Sequence, residues 1–242
     1  MTEIYPTEVV DLVYKSRATI LTMLQKRGYD TKDYDNYTIE DVRRMLEDTS
    51  DLNALDIRCK LTDPLIDRLP NVLVRYRFMD KLKNRLHNLF APPADTSGIF
   101  GDGEDEQEPK AKGRKKPHIL DGFNRNTDEL ILIVGEAVGE PFHKAASDAY
   151  NKYKTRVSIF YIKNLVKNPL DHVWVPPHDR IPKAEHELLL SRLNTSSKNE
   201  LPIIKHHEDM IGRILGLYPG DIVHILRDSK TAGISHAYRR CA

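Results

Sequence analysis

Ser229 and His236 flank a run of small, hydroxyl and glycine residues near the end of this 242-residue chain. A hairpin folding at that run would make them cross-strand neighbours, where an imidazole could take a serine proton. The rest of a hydrolase frame is missing, because no Gly-x-Ser-x-Gly elbow surrounds the serine. Seven of the ten histidines follow residue 168, but none stands in a His-Glu-x-x-His or similar spacing. A zinc site requires about four converging N, S or O donors, and the pattern supplies no such set. "GEAVGE", residues 135–140, follows a strand-like run as a phosphate loop would. It lacks a Lys-Ser/Thr pair, and Glu136 and Glu140 would repel phosphate. The Glu-x-Lys of a metal-dependent nuclease occurs only as Glu108-Pro109-Lys110, in a stretch unsuited to a strand. The residues therefore predict no catalytic set, no metal, no cofactor and no small-molecule substrate.

The bulk numbers narrow the class. Lys and Arg total 37 against 36 Asp and Glu, so there is no global pull toward nucleic acid or membrane. Any DNA contact must come from local patches. Two cysteines, Cys59 and Cys241, give no disulfide framework and fit a reducing compartment. The opening residues lack a signal-peptide layout, and no apolar run approaches the ~20 residues of a membrane span. The expectation is a soluble intracellular protein.

The elements that must position these residues follow from periodicity. Thr7 to Arg27 reads as a helix with Val9, Val13, Ile20 and Leu24 on one stripe, ended by Gly28. Thr38 and Asp41 have capping-box spacing for a short second helix through Ile39, Val42 and Leu46. Asn71 to Phe78 reads as a strand, and the stretch after it as a helix with Leu82, Leu86 and Leu89 on one face. Residues 91–126 join an acidic block to a basic one among Pro and Gly. Such a segment buries too little apolar surface to offset its ordering entropy, and reads as a flexible insertion. Leu130 to Val134 is a buried strand, followed by a helix with Phe142, Ala145, Ala149 and Tyr153 on a common side. A strand within "RVSIFYIKNLV" then completes a βαβ unit.

The final third changes character. Pro169, Pro176, Pro177 and Pro182 stiffen a linker. A helix to about Leu193 with Leu188, Leu189 and Leu193 inward follows, then a helix ending at Gly216. "DIVHIL" and "ISHAYRR" form a hairpin. The fold class is α/β (α+β overall): residues 1–168 as one domain, and 169–242 as a small α+β domain ending in the hairpin.

The run from His172 to Arg239 resembles the assembly domain of the fifth shared subunit of eukaryotic-type RNA polymerases, a domain that archaeal polymerases share. The resemblance rests on His172, Val175-Pro176 and His178, on Leu201-Pro202, and on Gly216 and Gly220. It continues through Arg227, Ser229, Thr231, Ala232 and Gly233, then Tyr238-Arg239. "SRATILTMLQKRGY" is similar, more loosely, to the family's opening helix. The chain departs from the pattern at Asp228, at Lys230, which reverses a charge, and at Asp209-Met210, where only Arg213 is kept. It also lacks Thr-Pro-Ser after the jaw strand. These departures mark a divergent member, from a large DNA virus or an early-branching eukaryote.

The resemblance implies a non-catalytic polymerase subunit. Its C-terminal domain would anchor on the largest subunit through His172, Pro176, His178, Arg213, Arg227, Ser229, Thr231, Ala232, Gly233, Tyr238 and Arg239. Arg227 and Arg239 are expected near each other on flanking strands, with Ser229 and Thr231 closing the turn. The N-terminal domain would form part of the lower jaw near downstream duplex DNA. Candidate phosphate contacts are Arg17, Lys26 and Arg27, with Lys112, Arg114, Lys115 and Lys116 in the insertion. A cellular member would work in the nucleus, a viral one in the virion or host cell. A free DNA-binding regulator and a degenerate endonuclease-like enzyme are the alternatives.

Overall fold

Helix α1, Thr7–Lys26, buries Val10, Val13, Ile20, Met23 and Leu24 along one stripe. The computed structural model describes residues 7–47, 53–77 and 119–242, with Leu82, Lys83, Leu86, Leu89 and Phe90 between them. α1 ends as its sequence predicts, with Gly28 at φ +89°. Helix α2, Ile39–Glu47, opens on the expected capping box. Thr38 N–H donates to the Asp41 carboxylate at 2.9 Å, and Asp41 N–H to Thr38 Oγ1 at 3.3 Å. Val42 and Leu46 face the core. Ile39, expected to join them, lies 41% exposed in the first turn.

Strands β1 (Ile57–Lys60), β2 (Asn71–Arg77), β3 (Asp128–Val134) and β4 (Val157–Tyr161) form one sheet in that order. β1 pairs antiparallel to β2, and β2, β3 and β4 run parallel. β1 is a further element that was not expected: Ile57-Arg58-Cys59-Lys60 alternates buried and exposed residues, but over only four positions. β3 is buried along its whole length because both faces are covered. Ile131 and Ile133 join the α1 core. Leu130, Leu132 and Val134 pack with helix α3, Glu140–Tyr153. β3, α3 and β4 make the expected βαβ unit. α3 turns Phe142, Ala146 and Ala149 inward; Ala145 and Tyr153 are only partly covered.

The helix expected after β2 falls largely outside the described residues, although Leu82, Leu86 and Leu89 are buried in the α3-side core. The flexible stretch expected to run to residue 126 is contradicted over its last eight residues. Ile119 and Leu120 are buried, and Arg75 donates to the carbonyls of Ile119 and Asp121. The packed chain therefore resumes by residue 119, and 91–118 lie outside the described residues.

A second sheet has the order β5-β7-β8-β6, from β5 (His178–Ile181), β6 (Ile203–Ile204), β7 (Ile222–Ser229) and β8 (Gly233–Cys241). Helix α4, His186–Arg192, lies between β5 and β6. Its Leu188 and Leu193 point outward, 55% and 37% exposed, against expectation; His186 is the inward residue. His186 Nε2 bonds the Ile181 carbonyl, and its Nδ1 meets Lys198 Nζ at 2.7 Å. That imidazole ties the helix to β5 and to Lys198.

Helix α5, Met210–Leu215, covers one face of this second sheet. Asp209 caps it, accepting from Gly212 N–H at 2.8 Å. Gly216 ends it at φ +61°, a left-handed conformation that costs an ordinary side chain about 1 kcal/mol or more. Space excludes a side chain there too, because a Cβ would lie 2.9 Å from Arg27 Cζ. Leu215 packs on the second sheet, while Ile214 belongs to the α1 core. One helix thus serves two cores.

Candidate functional site

The β7–β8 hairpin is paired from Ile222↔Arg240 to Ser229↔Gly233. β5 covers β7 only as far as Ile225, and β6 reaches β8 only at Arg240 and Cys241. Beyond those rungs the hairpin is a two-stranded ribbon, with Lys230 to His236 exposed. Its turn closes as predicted. Ser229 Oγ accepts from Ala232 N–H at 3.3 Å and meets Thr231 Oγ1 at 3.3 Å, while Gly233 takes φ +70°.

Register corrects two expectations. His236 faces Leu226 and Ser229 faces Gly233, so no serine–histidine pair forms. Arg227 opposes Ser235 whereas Arg239 opposes Val223, four residues further along β7. At about 3.3 Å per residue the two arginines stand roughly 13 Å apart along the ribbon. Arg239 instead donates to the Ile203 carbonyl at 3.3 Å.

The ring that His236 does meet is His224, Nδ1 to Nε2 at 2.8 Å, and Tyr238 stacks on His224 with centroids 4.9 Å apart. Burial, and then the neighbouring His236, hold His224 below the usual imidazole range. One ring donates and the other accepts, so the pair is stable when at least one imidazole is neutral. The patch is aromatic, built from two imidazoles and a phenol ring.

The proline-rich loop divides its predicted residues. His172 is exposed, and its Nδ1 accepts from Trp174 N–H at 3.2 Å. That bond holds Val173 and Trp174 outward, 93% and 87% exposed. Pro176 is half-buried, and its carbonyl bonds the inward-facing His178 imidazole. Trp174 was missed, although the only tryptophan of the chain, placed in a proline-rich run, is a signal for it.

Arg213 is not a surface group. It is 8% exposed, donates to the Ile159 carbonyl of β4, and lies over the Phe160 ring at 5.3 Å. Burial lowers its pKa to about 10. Arg27 is 3% exposed. It binds Glu129 at 2.6 Å and donates to the carbonyls of Ile214, at 2.8 Å, and Arg213. Arg17, 2% exposed, donates to the Leu55 carbonyl at 2.9 Å beneath the Tyr37 ring. Both were expected to reach phosphate, and both are committed inside the fold. Lys26 is exposed. Lys112, Arg114, Lys115 and Lys116 lie outside the described residues.

A set of bridges invisible to local sequence joins the two sheets. Arg68 donates to the Leu215 carbonyl at 2.9 Å. Desolvation, and then Arg27, lower its pKa to about 10. Arg180 donates to Asp221 at 2.9 Å and to the Asp67 carbonyl at 2.7 Å. Tyr218 stacks on Tyr150 at 5.7 Å.

Burial pushes the thiols of Cys59 and Cys241 up to about 12, so both are protonated and unreactive at neutral pH. Among the described residues no cluster of three or more His, Cys, Asp or Glu side chains could hold a metal ion.

Comparison with known proteins meets this geometry in the same region. The family model described as RNA polymerase Rpb5, C-terminal domain, matches residues 167–241, from the loop before Trp174 to the end of β8. DNA-directed RNA polymerase subunit Rpo5 of Methanocaldococcus jannaschii is 42% identical over 69 residues, 28% of this chain and 86% of that protein. The Rpo5 of Archaeoglobus fulgidus is 48% identical over 69 residues, 28% of this chain and 88% of its own. The DNA-directed RNA polymerases I, II, and III subunit rpabc1 of Dictyostelium discoideum is 32% identical over 119 residues. That match covers 49% of this chain and 59% of the relative. Because nearly the whole of the archaeal subunits is matched at this identity, the chain belongs to the RNA polymerase Rpb5 C-terminal domain family.

Proposed function

We propose that this protein is a non-catalytic subunit of a multisubunit DNA-directed RNA polymerase. Residues 169–242 dock it on the largest subunit, and residues 1–168 form part of the lower jaw beside downstream duplex DNA. The observation that carries this reading is the coincidence of the family match, 167–241, with an exposed ribbon that has donors and rings but no reactive group. The exposed Arg227, Thr231, Ala232 and Gly233 and the half-buried Ser229, Tyr238 and Arg239 make the contact, with His172 and Pro176 on the neighbouring loop. Arg213 and His178 act from inside, holding α5 and β5 in place. Of the candidate phosphate contacts within the described residues, Lys26 is the exposed one and is placed to meet phosphate on the jaw. The protein works with the transcription machinery: in the nucleus of a cellular source, or in the virion or host cell of a viral one.

Purification through a tag on this chain tests the reading. Stoichiometric recovery with the large polymerase subunits is the expected result. Isolation as a lone DNA-binding protein would favour the regulator, and metal-dependent cleavage by the pure chain would favour the enzyme; either would overturn the subunit role.

A further inference from the structure

Among the described residues, the outer edge of β8 is unpaired from Ile234 to Tyr238. Odd-numbered residues of β8 bond to β7, since Cys241 N–H donates to Asp221 and the register is unbroken to Gly233. Even-numbered residues point the other way, and Arg240 N–H donates to Pro202, beside β6. β6 ends there. The N–H and C=O groups of His236 and Tyr238 therefore face outward, with no backbone partner among the described residues.

Exposed edges are normally blunted by Lys, Glu, Pro or a bulge, because unpaired ladder groups recruit other strands. "GISHAY", residues 233–238, has none of these. Ile234 is 60% exposed on it. Cationic residues stand at either end instead: Arg227 and Lys230 at the tip, Arg239 and Arg240 at the base.

We infer that the β8 edge, residues 234–238, is a strand-addition site that takes an extended segment of a larger polymerase subunit. This rests on the polymerase reading above and specifies its docking mode. The incoming strand lies in line with β6 and pairs with the main chain of His236 and Tyr238. Its side chains on one face meet Ile234, His236 and Tyr238. On the other they meet Ser235 and Ala237, which leave room for a bulky apolar residue. Acidic residues at its ends match the four cationic side chains. A segment of about five residues spans the open edge.

Proline at position 236 isolates this edge. It removes an N–H that the β7–β8 ladder does not use, and an edge strand tolerates it. The expected result is that H236P melts at the wild-type temperature while its recovery with tagged large subunits falls at least about tenfold. His236→Ala, which keeps the N–H, retains most of the recovery. In parallel, the amides of His236 and Tyr238 exchange rapidly in the free wild-type chain and become protected in the assembled polymerase. Undiminished recovery of a folded H236P, or rapid exchange at both amides within the polymerase, would overturn strand addition and leave subunit membership intact. A wild-type chain recovered without any polymerase subunit would overturn membership itself. A free wild-type chain that is dimeric, and monomeric as H236P, would assign the edge to a second copy and overturn the proposal.

Discussion

Arg27, at the end of α1, binds Glu129 of β3 at 2.6 Å, and both side chains are no more than 2% exposed. The guanidinium also donates to the last carbonyls of α5, those of Arg213 and Ile214. One cation therefore balances a buried carboxylate and adds side-chain donors to the carbonyls at the end of a helix, where Arg213 also accepts from Gly216 N–H. It also ties α1 and β3 of the first sheet to α5, which packs on the second sheet.

Removing one partner strands a charge in the interior. Arg27→Ala or Glu129→Ala is expected to destabilise the protein by about 3–5 kcal/mol in urea unfolding. The double change to Met and Leu should recover most of that loss. A single change costing under about 1 kcal/mol would show that the pair is solvated.

Gly216 is constrained by conformation and by space together. Gly216→Ala is expected to cost roughly 1–3 kcal/mol, because its Cβ would press on the Arg27 guanidinium. A chain carrying only the conformational cost would lose about 1 kcal/mol. The denaturant midpoint of Gly216→Ala decides between them: a loss well above about 1 kcal/mol shows the steric contribution.

Stability should decline in mild acid. His206 is 6% exposed, and burial lowers its pKa below 6.5; the Ala242 carbonyl opposes the shift in part. Burial likewise lowers His143, His186 and His207. A depressed folded pKa means that the unfolded chain binds protons first. The stability contributed by neutral imidazoles is full above about pH 6.5 and is lost as pH falls below it. Urea unfolding between pH 7.5 and 5 should show that slope, and His206→Gln should flatten it.

Trp174 is a built-in reporter, being the only tryptophan and 87% exposed. Emission from the free chain should sit at the wavelength of a solvated indole and be readily quenched by iodide. Incorporation into the polymerase should shift it to shorter wavelength if the His172–Pro176 loop is covered. Unchanged quenching in the complex would remove this loop from the interface.

Reversing charge at the hairpin should act mainly on association, since among the described residues the one intramolecular bond it removes is that of Arg239 to the Ile203 carbonyl. Arg227→Glu with Arg239→Glu touches two residues outside the buried core, so stability should change by no more than about 0.5 kcal/mol for each. Recovery with the large subunits should fall, and salt should narrow the difference from wild type. This variant is cleaner than a chain ending at Ile225, which would also lose β8 and the fully buried Cys241.

Local chemistry made much of the fold readable. The stripe of α1, the Thr38–Asp41 cap, the unbroken run of β3 and the Ser229–Thr231 turn depend on residues a few positions apart. β1 was not readable, because it is four residues long and becomes a strand only by pairing with β2. α4 misled for a related reason: three leucines at helical spacing specify an inward face only if something covers it. Here His186 and Lys198 do the anchoring.

The amino-acid sequence by itself determined the helices and their stops, the βαβ unit, the terminal hairpin and the resemblance of its last 70 or so residues to a polymerase subunit. All of these follow from short-range spacing. Only the tertiary structure decided which cations are free. Arg17, Arg27 and Arg213 have long apolar stems and planar heads that serve equally on a wet surface or against buried carbonyls. It also decided which residues of the ribbon meet. A strand alternates its faces and its edges with every residue, so pairing His236 with Leu226 rather than Ser229 changes every neighbour on the hairpin.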